Sequence, residues 1–530
     1  MQAATSDASM DVDVAVIGGG PAGLAAALAL KRVLDPEKSV AVFEAREPAG
    51  ERGATLGFMV NGLRALEAID PCVLHMLYER GMYSPTMPMH EEVSGDRLPR
   101  EARSDFRDQL AKHGHVFTMT HWWHIADLLE KALPPGTVRH GLKLEASENL
   151  DPIVEREPGE DEGYRYRLTF MPTASGLPEG LQIAGAQAGG QTPPPEREQA
   201  GLYVRSKWLV GADGYFSRVR RLVGDAQVPS FTREVCWWGS APAEDLEAAG
   251  VAWPEALRDT GNGRRAWSAG VVPPGFQDAS GPRVSMVTRA LGSSGADGGA
   301  EAAGGGEGRD WVFWYLRCGI EDLEAVGLQY PCPTSDDGDQ PPALRRALAV
   351  FGDVLPPDFR GVVAATNPHR VTERGVYTHD MERLHEATWT DGRGMALVGD
   401  AAHAGRPDGQ GANLALEDAA VLGALVRQHG LGPEAFSAFQ AIRAPRVRAI
   451  LTDRLPPFAI RMEMINSASF EPLWEPAELP ASPPVRSVEE GLAWSRSRVR
   501  AILEGRIGPP LDQLVQPPEL AASAARAGAA

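Results

Sequence analysis

Short apolar runs and a longer helical pattern alternate at the start of the chain. Residues 12–17 and 40–43 are dominated by Val, Ile, Ala and Phe, which is typical of parallel strands covered on both faces. Between them, residues 22–33 are rich in Ala and Leu and predict a buried helix. The order strand, helix, strand predicts a βαβ unit.

Later segments repeat these patterns. Helices are predicted at about 61–68, 124–133 and 413–427, and strands at 202–210 and 395–398. β-Forming residues at 283–288 and 311–316 indicate a further, β-rich unit. We therefore predict an α/β protein, in which a Rossmann-like dinucleotide-binding domain carries an inserted β-rich substrate domain and a helical C-terminal segment.

The predicted domain boundaries follow the changes in pattern. They are 1–230 for the first part of the dinucleotide-binding domain, 231–390 for the β-rich domain, 391–450 for the second part of the first domain, and 451–530 for a helical or irregular tail. Residues 171–201 are rich in Gly, Pro, Ala and Gln and predict a loop insertion. Residues 291–308 are mostly Gly, Ala, Ser and acidic residues and predict a disordered insertion.

Composition and charge narrow the class of protein. With 43% hydrophobic and 23% charged residues, the 530-residue chain is typical of a globular protein of two or three domains. Its formal net charge of −19 disfavours binding to nucleic acid or to an anionic membrane surface. The sequence contains no run of about 18 apolar residues, so no transmembrane helix is predicted. The acidic N-terminus lacks the pattern of a secretory signal, so a cytoplasmic location is expected.

The four cysteines predict neither a metal site nor a disulfide. Cys72, Cys236, Cys318 and Cys332 form no C-x-x-C pair, and their spacing matches no zinc site. Reduced thiols are therefore expected.

A glycine-rich turn joins the first predicted strand to the first predicted helix. Gly18-Gly19-Gly20-Pro21-Ala22-Gly23 has the G-x-G-x-x-G spacing, which permits a tight turn, a close approach of a diphosphate and close packing of helix on strand. Glu44 ends the second strand, where its carboxylate is placed to accept hydrogen bonds from ribose hydroxyls, and Arg46 is expected near the adenine. Gly18, Gly20, Ala22, Gly23, Glu44 and Arg46 are the predicted cofactor-binding residues of this motif.

Two further motifs follow later strands. Gly211-Ala212-Asp213-Gly214 follows one strand, and Gly399-Asp400-Ala401-Ala402-His403 follows another. An Asp at the carboxyl end of a parallel strand points into the crevice where such sheets bind ligands, so Asp213 and Asp400 are predicted cofactor-binding residues. Gly411, Ala412 and Asn413 open a predicted helix whose N–H groups and dipole favour negative charge on a bound cofactor, so they too are predicted cofactor-binding residues.

Together, the three motifs resemble those of the single-component FAD-dependent monooxygenases typified by para-hydroxybenzoate hydroxylase. The resemblance spans about 12–450 and implies that Asp213 lies in the motif associated with FAD diphosphate and NAD(P)H, and that Asp400 contacts the ribityl chain. It further implies reduction of FAD by transiently bound NADH or NADPH, reaction of the flavin with O2 to a C4a-hydroperoxide, and insertion of one oxygen atom into an aromatic or other electron-rich substrate.

The sequence departs from the family at two places. The family has an Arg three residues before a Leu in the helix near 125, whereas this chain has Ile125 before Leu128. That phosphate contact is either missing or supplied by His121, His124 or Arg52. The Pro that the family has before its Asn-Gly pair is Val60 here, ahead of Asn61-Gly62.

Other functions and other site residues remain open from sequence. A flavin-dependent reductase of the same fold and a non-catalytic flavoprotein are the alternatives. His403 is interpreted as a structural residue of its turn, and no catalytic acid or base is assigned among Tyr215, Tyr377 and His379. The tryptophans at 237–238 and 311–315 either line a substrate pocket or form sheet core.

Overall fold

The computed structural model describes most of the first 451 residues. It covers residues 9–48, 54–80, 82–83, 115, 117–145, 154–155, 163–173, 202–225, 227–251, 269–271, 277–278, 281–282, 284–291, 310–331, 342–355, 357–381, 383–384, 388–406, 409–451 and 465. The tail after 451, apart from Ile465, lies outside this part of the chain, as does most of the two predicted insertions. Met171 and Pro172 belong to a strand, so the first two residues of the predicted 171–201 loop are not loop.

The strands in chain order are β1 Ser9–Ile17, β2 Val40–Phe43, β3 Thr55–Phe58, β4 Met82–Tyr83, β5 Thr118–His121, β6 Val138–Arg139, β7 Leu142–Leu144, β8 Val154–Glu155, β9 Tyr166–Pro172, β10 Leu202–Gly211, β11 Ser230–Pro242, β12 Ala269–Val271, β13 Gln277–Asp278, β14 Gly281–Pro282, β15 Val284–Leu291, β16 Asp310–Gly319, β17 Val371–Thr378 and β18 Met395–Leu397.

The helices in chain order are α1 Pro21–Val33, α2 Val60–Ile69, α3 Pro71–Arg80, α4 Trp122–Lys131, α5 Val219–Leu222, α6 Ala243–Ala248, α7 Ile320–Ala325, α8 Pro342–Phe351, α9 Pro357–Ala365, α10 Asp400–His403, α11 Gly411–His429 and α12 Pro433–Leu451.

An eight-stranded mixed sheet holds the three sequence motifs. Its strands follow the order β6-β2-β1-β10-β9-β7, while β18 also pairs with β10 and β8 with β9. β6, β2, β1, β10 and β18 are parallel, whereas β9 runs antiparallel to β10. Val14, Ala15 and Val16 are each 0% exposed, as expected for an internal parallel strand covered on both faces. The carboxyl ends of β1, β10 and β18 therefore meet at one edge, where the motifs follow them.

The outer edge of β10 is shared by two partners. β9 pairs with its first half, from Leu202 to Ser206, and the short strand β18 pairs with its last three residues, from Leu209 to Gly211. The Gly-Asp motif that follows β18 is thereby brought beside the Asp-Gly motif that follows β10.

A five-stranded antiparallel sheet, in the order β12-β15-β16-β11-β17, forms the second unit. Its side chains alternate between two faces. Trp237 and Trp314 are 0% exposed and belong to a core shared with α8 and α9, where Trp237 packs edge-on against Phe351. Trp238 and Tyr315 lie on the opposite face and line a cavity. In the tryptophan-rich strands, sheet core and cavity wall are therefore formed by alternate residues.

The α/β fold with an antiparallel insert and C-terminal helices agrees with the prediction, and the fold class is confirmed. Most predicted elements recur within two or three residues of their expected bounds. Within the described part of the chain, none of the helices combines the length and the apolar character needed to cross a membrane.

Candidate cofactor and active site

The glycine-rich turn is held tightly between β1, β10 and α1. Gly18 has a φ of +108°, which favours glycine, and its N–H donates to the Phe43 carbonyl at 2.9 Å. A Cβ on Gly18 would lie 2.3 Å from the Ala212 carbonyl oxygen, and one on Gly23 would lie 1.9 Å from the Gly18 carbonyl oxygen. A Cβ on Gly20 would meet only a Trp122 ring atom at 3.8 Å. Gly18 and Gly23 are therefore required by packing, whereas Gly20 faces open space.

Glu44 is oriented towards this turn by backbone donors. Its two carboxylate oxygens accept from the N–H groups of Gly19 at 2.6 Å and Arg46 at 2.8 Å. The Arg46 side chain is 75% exposed and approaches the same carboxylate at 3.3 Å. Each oxygen keeps a further lone pair, so Glu44 remains able to accept from the hydroxyls of a ribose.

Asp213 organises its own turn. Its carboxylate accepts hydrogen bonds from the Ser217 hydroxyl and from the backbone N–H groups of Arg218 at 2.7 Å and Val219 at 3.3 Å, at the start of α5. Burial raises the pKa of Asp213, although these donors favour the carboxylate. Its predicted contact with a cofactor stays a prediction, since the donors seen here come from the protein.

Arg220 joins the two Asp motifs, a role that the sequence alone did not indicate. It is 2% exposed, forms an ion pair with Asp225 at 2.7 Å, and donates to the carbonyls of Ala401 at 3.0 Å and Ala402 at 2.6 Å. Arg220 thereby satisfies carbonyl groups at the C-terminal end of the short helix α10. An Arg that follows the Asp-Gly pair was visible in the sequence, but its partners were not.

Asp400 has no such internal partners. Its side chain makes no hydrogen bond to any residue that the structure describes, and its Oδ1 lies 3.8 Å from where a Cβ on Gly411 would be. Burial raises the pKa of Asp400, against the opposing effect of His403 and Arg374. The Asp400 carboxylate thus faces the start of α11 without a protein donor, and such an acceptor is suited to a hydroxyl-bearing ligand.

Gly399 and Ala22 bring the Gly-Asp motif against the glycine-rich turn. Gly399 has a φ of +60°, and a Cβ added to it would lie 2.7 Å from the Ala22 Cβ. Asp400 is therefore placed close to the first turn of α1. The structure brings together two predicted site segments that are far apart in the sequence.

Asn413 ties the start of α11 to the segment before α2. It is fully buried, accepts from the Met59 N–H at 2.9 Å, and donates to the carbonyls of Gly57 at 2.9 Å and Gly409 at 2.8 Å. A Cβ on Gly62 would lie 2.1 Å from the Asn413 Oδ1. This contact explains the Asn61-Gly62 pair and gives Asn413 a structural role, while Gly411 and Ala412 remain partly exposed beside it.

A buried ionic network supports the Gly-Asp motif from behind. Asp418 accepts from the Gly399 N–H at 2.8 Å and contacts His403 at 2.7 Å and Arg443 at 2.8 Å. Arg443 also pairs with Glu417 at 2.5 Å. The structure agrees with the interpretation of His403 as a structural residue.

The charges within this network compensate one another. Burial alone would raise the pKa of both carboxyls, but Arg443 and Arg446 hold the pKa of Glu417 below its usual value, and His403 and Arg443 do the same for Asp418. Glu417 receives further hydrogen bonds from Asn61 at 2.6 Å and from Arg446 at 2.6 and 2.8 Å. The network therefore links α2, α11 and α12.

Residues of the three motifs fit an FAD. The N-termini of α1 and α11 lack side-chain caps, so their first N–H groups are available to an anion. Gly20 leaves room for a diphosphate beside α1, Glu44 supplies acceptors for a ribose, and Asp400 has free acceptors for a polyol chain.

At the departure in α4, the two described candidates to replace the arginine, His121 and His124, are unsuited to bind phosphate. Ile125 is fully buried. Burial, with a smaller effect of His124, lowers the pKa of His121 to about 3, so its ring is neutral, and it stacks on Trp123. His124 is 1% exposed. Arg52 lies outside the described residues.

A cavity of about 170 Å³ lies between the Asp-Gly turn and the open face of the five-stranded sheet. Aromatic rings form much of its wall. The lining side chains include those of Tyr215, Phe216, Trp238, Tyr315, Arg374 and Tyr377. Among the candidates for catalytic groups, Tyr215 and Tyr377 therefore face the cavity, whereas His379 is buried behind the Gly-Asp motif, accepting from the Ala404 N–H at 3.0 Å.

Tyr315 carries a buried hydroxyl without a hydrogen-bond partner of ordinary geometry, beside the Cys236 thiol. Burial raises the pKa of both groups, to about 11 for Cys236, so both are protonated at neutral pH. Arg374 lies opposite Cys236 on the neighbouring strand, hence on the same sheet face. Its guanidinium forms no hydrogen bond within the described residues and lies 5.8 Å from the Tyr215 ring centroid.

Comparisons with known proteins show similarity in sequence and in fold. A family model described as FAD dependent oxidoreductase matches residues 13–181. The chain is 30% identical over 247 residues to the 2-heptyl-3-hydroxy-4(1H)-quinolone synthase of Pseudomonas aeruginosa, covering 46% of this chain and 48% of the relative. It is 35% identical over 122 residues to the FAD-dependent urate hydroxylase of Klebsiella pneumoniae, covering 23% of this chain and 30% of the relative. The aligned regions therefore span less than half the length of these relatives.

Structural similarity extends further than sequence similarity. The crystal structure of Klebsiella pneumoniae HpxO complexed with FAD and uric acid matches with a TM-score of 0.51 and 19% identity, covering 88% of this chain and 95% of that one. This match shows the shared fold. In its motifs, its aligned regions and its fold, the chain is similar to the para-hydroxybenzoate hydroxylase-like FAD-dependent monooxygenases.

Proposed function

We propose that this protein is an FAD-dependent, NAD(P)H-consuming monooxygenase that inserts one oxygen atom of O2 into a small aromatic or similarly electron-rich substrate. The observation that carries the proposal is the convergence of three motifs at the carboxyl ends of β1, β10 and β18, directly beside an aromatic-lined cavity. The relatives named as a urate hydroxylase and a quinolone synthase support it.

Each motif has a distinct part in holding FAD. The turn from Gly18 to Gly23 and the N-terminus of α1 would bind the diphosphate, Glu44 the adenosine ribose and Asp400 the ribityl chain. The N-terminus of α11 favours negative charge nearby. When bound, FAD supplies the redox and oxygen-transfer chemistry, while the chain binds, orients and shields the reactants.

The cavity provides the substrate site. Its aromatic walls suit a flat ring, and its size suits a compact one, since an engineered cavity of about 150 Å³ in another protein holds benzene. Tyr315 offers a hydroxyl donor and Arg374 a cationic donor, and no carboxylate is among the described lining residues. Phe216, which is 56% exposed and stacks edge-on against Tyr377, lies at the rim.

The direct test is oxygen uptake by the purified protein. The visible spectrum would be recorded, and oxidation of NADH and NADPH would then be followed with an oxygen electrode across a panel of single-ring phenols and quinones. A flavin spectrum with substrate-stimulated oxygen uptake, and one oxygen atom from ¹⁸O2 in the product, is expected. Flavin reduction without such uptake would identify a reductase instead. A protein that cannot be loaded with FAD would contradict the proposal.

Replacing Arg374 with glutamine is expected to weaken binding of benzoate roughly 10-fold or more, because a charge-assisted hydrogen bond is lost. Binding of benzamide, which has the same shape without the charge, should change little. Dissociation constants from titration of the flavin-loaded protein provide the measurement.

The matched control is Arg360→Gln, on the exposed side of α9 and away from the cavity. It removes the same charge and should leave both constants unchanged. Equal losses for benzoate and benzamide in Arg374→Gln would indicate a packing role for this residue rather than recognition of an anion.

A further inference from the structure

Trp122 lies over the turn where the diphosphate of FAD is expected. It is the first residue of α4, and its backbone N–H donates to the Ala54 carbonyl at 2.9 Å. Its ring atom Cζ2 lies 3.8 Å from the position of a Cβ on Gly20, the residue that precedes the first turn of α1. The indole nitrogen is two bonds from this atom, so it belongs to the part of the ring that lies nearest to Gly20.

That N–H has no hydrogen-bond partner among the residues that the structure describes. The side chain is partly buried against the larger core, so its position is fixed by packing. A donor that is held in place without a protein acceptor, beside open space, is suited to a ligand acceptor.

Two neighbouring residues of the described chain, Ile125 and His121, do not face the glycine-rich turn. The family's arginine position is occupied by Ile125, one helical turn after Trp122, and Ile125 is 0% exposed. His121 is neutral and packs between Trp123 and Trp311. These residues leave Trp122 as the described residue of α4 that faces the turn.

Arg46 brings a positive charge to the side of Trp122, although its guanidinium also approaches Glu44 at 3.3 Å. Its guanidinium carbon lies 5.9 Å from the Trp122 ring centroid, within the range of a cation–π contact. We propose that Trp122 donates its indole N–H to a phosphate oxygen of FAD, with Arg46 alongside, and so replaces the family's arginine. This inference rests on the proposed FAD-binding function.

The test is the affinity of the apoprotein for FAD, measured by isothermal titration calorimetry. Trp122→Phe keeps an aromatic ring but removes the donor, and it is expected to raise the dissociation constant for FAD roughly 10-fold or more. The matched control is Trp208→Phe. Trp208 is also partly buried and also carries an arginine over its ring, Arg165 at 4.1 Å, but its ring packs against Phe436 of α12 rather than beside the glycine-rich turn.

The outcomes distinguish the role of Trp122 from FAD binding itself. If wild-type protein and Trp208→Phe bind FAD equally and Trp122→Phe binds more weakly, the proposal is supported. If both variants bind FAD as the wild type does, the role of Trp122 is overturned and the proposed function stands. If the folded wild-type apoprotein takes up no FAD, both are overturned. Circular dichroism spectra of the three proteins establish that each is folded.

Discussion

Replacing Arg443 with methionine is expected to lower the free energy of unfolding by about 3–5 kcal/mol, the usual cost of breaking a buried ion pair by removing one partner. Arg443, Glu417 and Asp418 are all 0% exposed. Without the guanidinium, two carboxylates would remain buried together. Because Asp418 also holds the Gly399 N–H, the Gly-Asp motif should loosen and FAD affinity should fall.

Urea unfolding of the apoprotein gives the measurement, and Arg448→Met is the control. Arg448 lies on the same helix, is partly exposed and forms no ion pair within the described residues, so its replacement should change the free energy by less than about 0.5 kcal/mol. A triple variant that also carries Glu417→Gln and Asp418→Asn should recover part of the loss, because the two buried carboxylates are then neutralised as well. Recovery should stay incomplete, since Arg446 loses its charged partner Glu417. Equal stabilities of Arg443→Met and Arg448→Met would contradict the role assigned to the network.

Replacing Gly23 with alanine is expected to destabilise the protein by at least about 3 kcal/mol, at the upper end of the cost of overpacking. The new Cβ would lie 1.9 Å from the Gly18 carbonyl oxygen, and because that neighbour is backbone, relief requires α1 to move away from β1. Gly20→Ala should keep its stability within about 0.5 kcal/mol, since its Cβ meets only a ring atom at 3.8 Å.

Replacement of Gly23 therefore tests packing, whereas replacement of Gly20 tests ligand binding. Gly20→Ala should raise the dissociation constant for FAD by roughly 10-fold or more, because a methyl group would occupy the approach to the diphosphate. Thermal unfolding of the apoproteins and titration with FAD measure the two effects independently. Loss of stability in Gly20→Ala, or normal stability in Gly23→Ala, would contradict this assignment.

Local patterns in the sequence were sufficient to predict the fold class and the strands that the three motifs follow. The continuous apolar strand at 40–43 and the glycine spacing from Gly18 to Gly23 each depend on neighbours within one βαβ unit. The start of α11 was predicted to within two residues because glycines precede it. The family resemblance, carried by all three motifs together, is confirmed.

Interactions between distant segments could not be predicted. Gly62 has no evident purpose until Asn413 is seen against it, and the donors to Asp213 at 217–219 are equally invisible in the sequence pattern. Alternation along β11 decides that Trp237 is core and Trp238 is cavity wall, but the sequence does not indicate which face the helices cover. In the same way, Trp122 becomes notable only when its ring is seen beside Gly20.

The divided edge of β10 has a consequence for synthesis on the ribosome. The first half of β10, up to Ser206, can pair with β9 as soon as both strands have been made, because β9 precedes it in the chain. The last three residues of β10, up to Gly211, gain their partner β18 only after the whole five-stranded unit has been synthesised. During that interval a short length of strand edge is open to pairing with other chains. We therefore expect the nascent polypeptide to depend most on chaperones between these two stages, and truncation before residue 395 to favour aggregation.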